Sequence, residues 1–330
     1  MLPFIVRRLL VSIPLVLLSS FLVFVMVANA GDPLEDLRLN PRTTEAQIAQ
    51  AERNLNLDKP VLERYRLWIT DVLVEGDLGV DNKQQSVGAQ LRRSLFVTLR
   101  LVLAAIFIAI VAGLAVGVVS ALRQYSLFDY GSTFAAFLFF SLPVFWLGVL
   151  LKEFVALPLN DALEDLGFAR FFGTVQENTP GFEGGFWDRL NDTAGHLVLP
   201  AFTLVVISFA QYSRYTRASM LDTMSADYVR TAQAKGLSRS RVVTRHALRN
   251  ALIPVTTVIA LDFGAVFGGA IITEQVFQWK GMGTLLIDNI RQLDVNMVQG
   301  WLLVTAVTVV VFNLVADVLY AYLDPRIRLD

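Results

Sequence analysis

Six stretches of this sequence run for about twenty residues with at most one charge, and this feature limits the fold more than any other. A helix needs about 20 apolar residues to cross the hydrocarbon core of a bilayer. Five of the windows are uncharged throughout, and the sixth carries Asp262 near its middle. They cover residues 9–30, 101–122, 130–151, 193–213, 251–273 and 297–316. We therefore predict an all-α polytopic membrane protein with six transmembrane helices.

The composition agrees with a chain that is mostly in lipid. Hydrophobic residues make up 55% of the 330 positions and charged residues only 17%, and the mean hydropathy is +0.54. Soluble domains contain roughly 45–50% apolar and about 25% charged residues. The net charge of -1 excludes the uniform positive field that is typical of a nucleic-acid-binding protein. The absence of cysteine excludes disulfides, thiolate metal sites and cysteine nucleophiles.

The distribution of basic residues predicts how the chain is oriented. Segment 213–252 contains eight basic and two acidic residues, whereas 30–91 contains seven basic and eleven acidic, and 158–195 two basic and seven acidic. Short loops rich in Lys and Arg stay in the cytoplasm. We therefore expect 213–252 and both termini to be cytoplasmic, with Arg326 and Arg328 at the C-terminal end. Segment 31–95 between the first two spans and segment 158–195 are then extracellular.

The first outer segment is predicted to fold rather than to act as a linker. Residues 43–57 and 60–74 place apolar residues at helical spacing, and Glu45 follows a Thr–Thr pair, which is typical of a helix start. We expect a helical extracellular insertion at 31–95. The second outer segment, 158–195, is predicted to be a loop because 173–185 is rich in turn-forming residues.

The motifs of most enzymes are missing from this chain. No G-x-x-x-x-G-K-[ST] phosphate loop occurs, and no second potential ligand follows His196 or His246 at position i+3 or i+4. We predict no catalytic, cofactor-binding or metal-binding residue, and hence no enzyme activity.

Two features point to specific packing and to a partner. Gly113 and Gly117, and likewise Gly264 and Gly268, form G-x-x-x-G pairs that let helices approach closely in membranes. The basic segment 225–252 has Gly236 between two helix-permissive halves, and apolar residues interrupt its charges. A lipid-binding patch would need only the charges. The pattern favours a short helix–turn–helix that docks into a partner's groove.

Motifs along the whole chain resemble those of one transporter family. They are GDP at 31–33, GDLG at 76–79, SLP at 141–143, HLVLP at 196–200, DYVRTA at 227–232, AKGL at 234–237, HALRNALIP at 246–254 and LDPR at 323–326. In this order and spacing they resemble the first permease subunit of ATP-binding-cassette importers of the dipeptide, oligopeptide and nickel family. Residues 1–330 would then form a single permease domain.

This resemblance implies a function and a set of partners. The permease would form half of a translocation pathway with a homologous second permease in the plasma (inner) membrane of a prokaryote. An extracellular or periplasmic substrate-binding protein would deliver a peptide, and one or two ATPase subunits would bind ATP and Mg²⁺, so that no cofactor is expected on this chain. The chain would also contact membrane lipid, and it would not bind nucleic acid.

The resemblance also implies a role for the basic segment. In this family two short helices with a Gly between them insert into the ATPase subunit. The coupling residues implied here are Asp227, Arg230, Thr231, Ala232, Lys235, Gly236, Leu237 and Arg241. Gly236 either adopts a positive φ or allows a close approach, and the sequence fits both.

A charged carboxylate facing lipid at the bilayer centre is unfavourable by at least about 2.5–3.5 kcal/mol, so we expect Asp262 to face the interior of the helix bundle. Two interpretations of its role there are open. It either lines the translocation pathway or hydrogen-bonds a neighbouring helix.

Two other functions stay open at this stage. A stand-alone secondary transporter or channel would carry ion-coupling acids or repeated halves. A membrane scaffold would recruit a partner through the basic loop without transport. Nickel chelates and glutathione-like solutes are alternatives to peptides.

Overall fold

The computed structural model describes residues 2–39 and 41–323, and its regular structure is helical. The helices are α1 Leu2–Ala28, α2 Glu35–Leu39, α3 Glu45–Asn54, α4 Val61–Val74, α5 Val87–Leu122, α6 Leu127–Ser141, α7 Val144–Leu150, α8 Leu157–Asp165, α9 Phe186–Met224, α10 Asp227–Ala234, α11 Arg239–Arg241, α12 Leu248–Phe277, α13 Met282–Arg291 and α14 Val295–Leu323. Wider π-helical turns at Leu151–Ala156 and Val242–Ala247 connect α7 to α8 and α11 to α12. The last motif residues, 324–326, and Arg328 lie outside the described residues.

The predicted all-α polytopic fold is confirmed. By length and composition, the described part of the chain has five helices that could cross a membrane: Val6–Ala28, Val87–Leu122, Phe186–Met224, Arg239–Gly268 and Val295–Val315. The number rises to six if the pair Leu127–Ser141 and Val144–Asp165, bent by 106°, is counted as one span.

The third predicted span, 130–151, differs from a straight helix. Leu142 has extended backbone angles, φ -82 and ψ 130, and α7 restarts after Pro143. A residue that precedes proline is pushed out of the helical region, and proline donates no backbone hydrogen bond. The S-L-P motif therefore breaks the predicted span into two helices.

The described chain divides into two compact units, and the first contains residues 1–97 and 280–311. In this unit α4 packs against α1, where the hydroxyls of Tyr65 and Ser20 hydrogen-bond at 2.7 Å and the Tyr65 ring meets Phe21 and Phe24 edge-on. Helices α3 and α4 lie within the two segments that the sequence predicts to be helical. Asp294, just before α14, accepts hydrogen bonds from the backbone N–H groups of Asn82 and Met297.

The second unit contains residues 98–279 and 312–330, of which the structure describes those up to 323. Its centre is α9, which packs against α6 and α12. At Gly113 of α5 an added Cβ would lie 2.7 Å from the Tyr212 Cβ, and at Gly117 it would lie 2.6 Å from the Thr216 Cβ. The first G-x-x-x-G pair thus packs closely on α9, as predicted. At Gly268 an added Cβ would meet nothing within 4 Å in the described part of this chain, so no close approach between its helices is seen there.

Only the middle of segment 158–195 is irregular. Helix α8 continues to Asp165, and α9 begins at Phe186, where Asp188 accepts a hydrogen bond from the Gly185 N–H at 2.9 Å. The side chain of Asn160 on α8 holds the intervening loop. Its Oδ1 accepts from the N–H groups of Phe171 and Phe172, and its Nδ2 donates to the Phe172 carbonyl. Helices α8 and α9 thus extend into the segment that the sequence predicts to be a loop.

Candidate functional site

The basic segment folds into two helical pieces that meet at Gly236. Helix α10 ends at Ala234, the Gly236 N–H donates to the Gln233 carbonyl at 2.9 Å, and the Leu237 N–H donates to the Ala232 carbonyl at 3.4 Å. Gly236 has φ +79, and an added Cβ would meet nothing within 4 Å. Glycine is therefore required here by the left-handed backbone and not by a close approach.

The apolar residues of this segment hold it to its own chain. Val229, Ala232 and Val242 are buried together, with Met224 and Leu237 packed against them. Because the hydrophobic effect favours removing these side chains from water, α10 folds back onto the start of the next helical piece. Of the residues implied for coupling, Ala232 and Leu237 thus support the fold of the segment and present little surface.

A second apolar cluster ties the same segment to the spans. Val243, Ala247 and Ala251 pack with Ala121 at the end of α5 and with Met220 of α9. A movement of this segment would therefore be passed directly to α5, α9 and α12, because close-packed side chains transmit displacement.

The exposed face of the segment is polar and includes α10 and residues that follow it. The side chains of Asp227 and Arg230 are 100% and 70% exposed, and they form a long ion pair of 3.8 Å. Thr231, Lys235 and Arg241 are also exposed. Surface ion pairs of this kind contribute little to stability, so these side chains are available to a partner.

Tyr228 belongs to this face and was missed by the sequence interpretation. Its side chain is 46% exposed beside Asp227. Tyrosine is over-represented at interface positions that dominate binding, and its place in the DYVRTA motif, one residue before the buried Val229, was the signal that could have identified it.

A partly buried ion pair lies beside this segment, and sequence reasoning missed it as well. Arg217 of α9 donates from Nε to Asp129 Oδ1 at 2.6 Å and from a terminal nitrogen to Oδ2 at 2.8 Å. Ser120 Oγ and the Tyr125 N–H also donate to this carboxylate. Two-point pairs of this type fix geometry as well as charge. They attach the α5–α6 turn to α9 one helical turn before Met220.

Asp262 of α12 faces α9. Its Oδ2 accepts hydrogen bonds from Ser208 Oγ at 2.9 Å and from the Tyr212 hydroxyl at 2.8 Å. Within residues 2–39 and 41–323 no group of three or more His, Cys, Asp or Glu side chains could hold a metal ion. The structure therefore brings Asp262 together with hydroxyl donors and joins two spans through it.

Family models match almost the entire chain. Residues 113–329 match the binding-protein-dependent transport system inner membrane component, and residues 1–89 match the N-terminal part of such membrane components.

Curated relatives and one solved structure are similar to this chain. The oligopeptide transport system permease protein OppB of Mycobacterium tuberculosis is 39% identical over 99% of both chains. The dipeptide transport system permease protein DppB of Escherichia coli is 37% identical over 99% of both. A chain of the inward-facing MetNI methionine ABC transporter aligns with a TM-score of 0.52 at 15% identity, covering 71% of this chain and 96% of that one. The last likeness concerns the fold alone.

Proposed function

Because this chain belongs to the family of binding-protein-dependent transport system inner membrane components, we propose that it is the permease subunit of an ATP-driven importer of short peptides. The peptide class is supported by the names of relatives that are 37–39% identical over nearly the full length. In this proposal the chain forms half of the pathway, and a homologous second permease forms the other half. A substrate-binding protein delivers the peptide from outside.

The observation that carries this proposal is the exposed polar face of α10 on a segment whose apolar side is buried against the spans. Such an element has a free surface for a cytoplasmic ATPase subunit and a packed connection to α5, α9 and α12. ATP and Mg²⁺ act on the ATPase subunits, so this chain itself catalyses no reaction. Its task is to adopt one of two helix arrangements according to the nucleotide state of its partner. This requires that the partner make different contacts with the two arrangements.

The chain is a multi-pass inner-membrane protein, and the charge distribution supports its orientation. Segment 213–252 and both termini face the cytoplasm in this proposal, while segments 31–95 and 158–195 face outward. This orientation places α10 on the side where ATP is present.

We further assign a pathway role to Asp262. Oδ2 is held by Ser208 and Tyr212, whereas Oδ1 has no hydrogen-bond partner among the described residues. One oxygen thus fixes the side chain, and the other is available to the ammonium group of a passing peptide.

Uptake by the reconstituted complex tests the proposal. Proteoliposomes containing this chain, the second permease, the ATPase subunits and the binding protein should accumulate labelled di- to pentapeptides only when ATP is present on the cytoplasmic side. A nickel chelate and glutathione serve as alternative solutes. Peptide accumulation driven by an ion gradient without ATP would favour a secondary transporter and overturn the proposal, and accumulation of only the alternative solutes would overturn the peptide class.

A further inference from the structure

The first unit contains a cleft that the proposed transport function does not use. Its volume is about 370 Å³, which falls in the range of small-molecule sites. It lies between α4, the ends of α1 and α3, the loop after α4 and the beginning of α14. Side chains that line it include Phe24, Asn54, Arg64, Asp71, Gln84 and Asn296.

Arg64 is a half-buried cation in this cleft with no anionic partner among the described residues. Its guanidinium lies over the Phe24 ring at 5.7 Å, and its Nε is buried without a hydrogen-bond acceptor. Burial lowers the pKa of this group. By contrast, Arg38 in the same unit pairs with both Asp32 and Glu52. A guanidinium presents five N–H donors, and leaving them unsatisfied away from water is unfavourable.

A carboxylate lies at the other end of the same helix face. Asp71 follows Arg64 by seven residues, which in an α-helix is about 10.5 Å along the axis and nearly the same direction around it. Asp71 forms no ion pair within the described part of the chain, and both residues line the cleft. Asp77, in the loop after α4, is a second carboxylate of the lining. The cleft therefore carries one cation and two carboxylates, and Arg64 forms an ion pair with neither carboxylate within the described part of the chain.

Side-chain amide groups, among them those of Asn54, Gln84 and Asn296, also line the cleft. The Asn54 Nδ2 donates to Gln84 Oε1 at 2.5 Å, and the Asn296 Nδ2 donates to the Val80 carbonyl at 2.9 Å. Each amide group has further donor or acceptor capacity beyond these bonds. Side-chain amides are suited to hydrogen bonds with the peptide bonds of a ligand.

We propose that this cleft binds a zwitterionic peptide of about three residues, with its terminal carboxylate on Arg64 and its terminal ammonium on Asp71. Three extended residues span about 10 Å, which is close to the rise of about 10.5 Å between the two residues along α4. In a zwitterionic lipid headgroup only two carbons separate the phosphate ester from the amine, so it cannot reach both residues. The choice of a peptide rests on the proposed function and adds to it a second peptide site, on the face predicted to be extracellular.

Calorimetric titration of the purified full-length chain in detergent tests this site without any partner subunit. The probes are trialanine, alanine, trialanine blocked by N-acetylation and C-amidation, and dihexanoyl phosphatidylethanolamine. We expect saturable binding of trialanine, and binding at least about tenfold weaker for the blocked peptide and for alanine, because each loses at least one charge-assisted contact. No saturable binding of trialanine, equal binding of the blocked peptide, or displacement of trialanine by the lipid would overturn the proposal.

Substitutions locate the site. Arg64→Gln and Asp71→Asn should each weaken trialanine binding by about tenfold or more, whereas Arg66→Gln, at an exposed position of the same helix, should bind like wild type. The blocked-peptide comparison needs no substitution and decides the question if Arg64→Gln does not fold. If the complex takes up peptides with ATP but the permease does not bind trialanine, the proposed function is supported and the cleft is not a peptide site. If the permease binds trialanine but the complex takes up no peptide, the cleft is supported as a peptide site and the proposed function is contradicted.

Discussion

The Tyr212 hydroxyl donates a hydrogen bond of 2.8 Å to Oδ2 of Asp262, and the Tyr212 Cβ lies where Gly113 of a third helix has no side chain. Tyr212 therefore connects α5, α9 and α12 at one level of the second unit. Two hydroxyl groups from α9 donate hydrogen bonds to one oxygen of the carboxylate, and these bonds offset part of the cost of placing it in the membrane. This arrangement separates two contributions of Asp262, hydrogen bonding and charge.

Asp262→Asn and Asp262→Leu measure these contributions. Asparagine keeps an acceptor for Ser208 and Tyr212, so we expect normal assembly. It lacks the negative charge that would attract the ammonium group of a peptide, so we expect reduced uptake or an altered peptide preference. Leucine leaves two buried hydroxyls without an acceptor, at about 1–3 kcal/mol each, so the complex should also assemble poorly. Assembly is measured by size-exclusion chromatography and uptake in proteoliposomes. If Asp262→Asn transports every tested peptide like wild type while Asp262→Leu disrupts assembly, the residue is structural and the pathway role is wrong.

The close contact between α5 and α9 gives a second prediction. Gly113→Ala places a Cβ 2.7 Å from the Tyr212 Cβ and 3.3 Å from the Ser213 backbone nitrogen, so the two helices must separate. Overpacking of this kind typically destabilises by about 1–3 kcal/mol. Thermal unfolding in detergent should therefore shift downward. Gly268→Ala is the matched control, since an added Cβ there meets nothing within 4 Å; an equal loss of stability in both variants would contradict the packing argument.

Gly236 gives a third prediction, about backbone conformation. At φ +79 an L-residue is strained by roughly 1–2 kcal/mol, whatever its size, because the space around the position is open. We expect Gly236→Val, and Gly236→Trp likewise, to reduce peptide-stimulated ATPase activity of the assembled complex, whereas Gly236→Asn should be milder because asparagine tolerates the left-handed region.

A wild-type response of Gly236→Val would remove the requirement for this turn. Ala234→Val on the exposed end of α10 controls for the added side chain alone. The membrane part should fold normally in all of these variants, since a Cβ added at Gly236 meets nothing within 4 Å.

The sequence predicted the helices well where one physical rule dominates. Windows without charge identify spans because the bilayer excludes charge. The window of 130–151 predicts one uninterrupted span, although its S-L-P motif already indicates the break at Leu142. Gly236 was identified as special, and the structure shows that the reason is its φ.

Long-range partners could not be predicted in the same way. Asp129 and Arg217 are 88 positions apart, and Asp262 meets Ser208 across 54, so only the packing of α6, α9 and α12 brings them together. The apolar residues of the basic segment were expected to shape a docking surface. Their pattern is equally that of a buried face, and the packing of Val229 and Val242 decides between the two.

The predicted orientation can be tested directly because the chain contains no cysteine. In intact cells, Gln85→Cys should react with a membrane-impermeant maleimide, and Arg239→Cys should react only after the cells are permeabilised. Both positions are exposed, so accessibility does not limit either reaction. Labelling of Arg239→Cys but not of Gln85→Cys in intact cells would reverse the orientation and place α10 on the side without ATP.

The ion pair between the buried Asp129 and the partly exposed Arg217 gives the last prediction. Asp129→Ala leaves the Arg217 guanidinium without its two-point partner. Because the Arg217 side chain is 28% exposed and water can solvate its guanidinium, the loss should be smaller than the roughly 3–5 kcal/mol typical of fully buried pairs. We expect a measurable drop in the thermal stability of Asp129→Ala. Asp129→Leu combined with Arg217→Met removes both charges and should recover much of that loss, because the desolvation of two ions is then avoided.

The same double variant separates stability from coupling. The pair attaches the α5–α6 turn to α9 within one turn of Met220, which packs against the basic segment. If the pair fixes the position of that segment, the double variant should be stable and assembled yet show weaker peptide-stimulated ATPase activity than wild type. Arg214→Met, on the preceding turn of α9, serves as the comparison, since Arg214 lies over Phe137 and Phe140 instead of pairing with an acid. Full stimulation in the stable double variant would limit the pair to a role in folding.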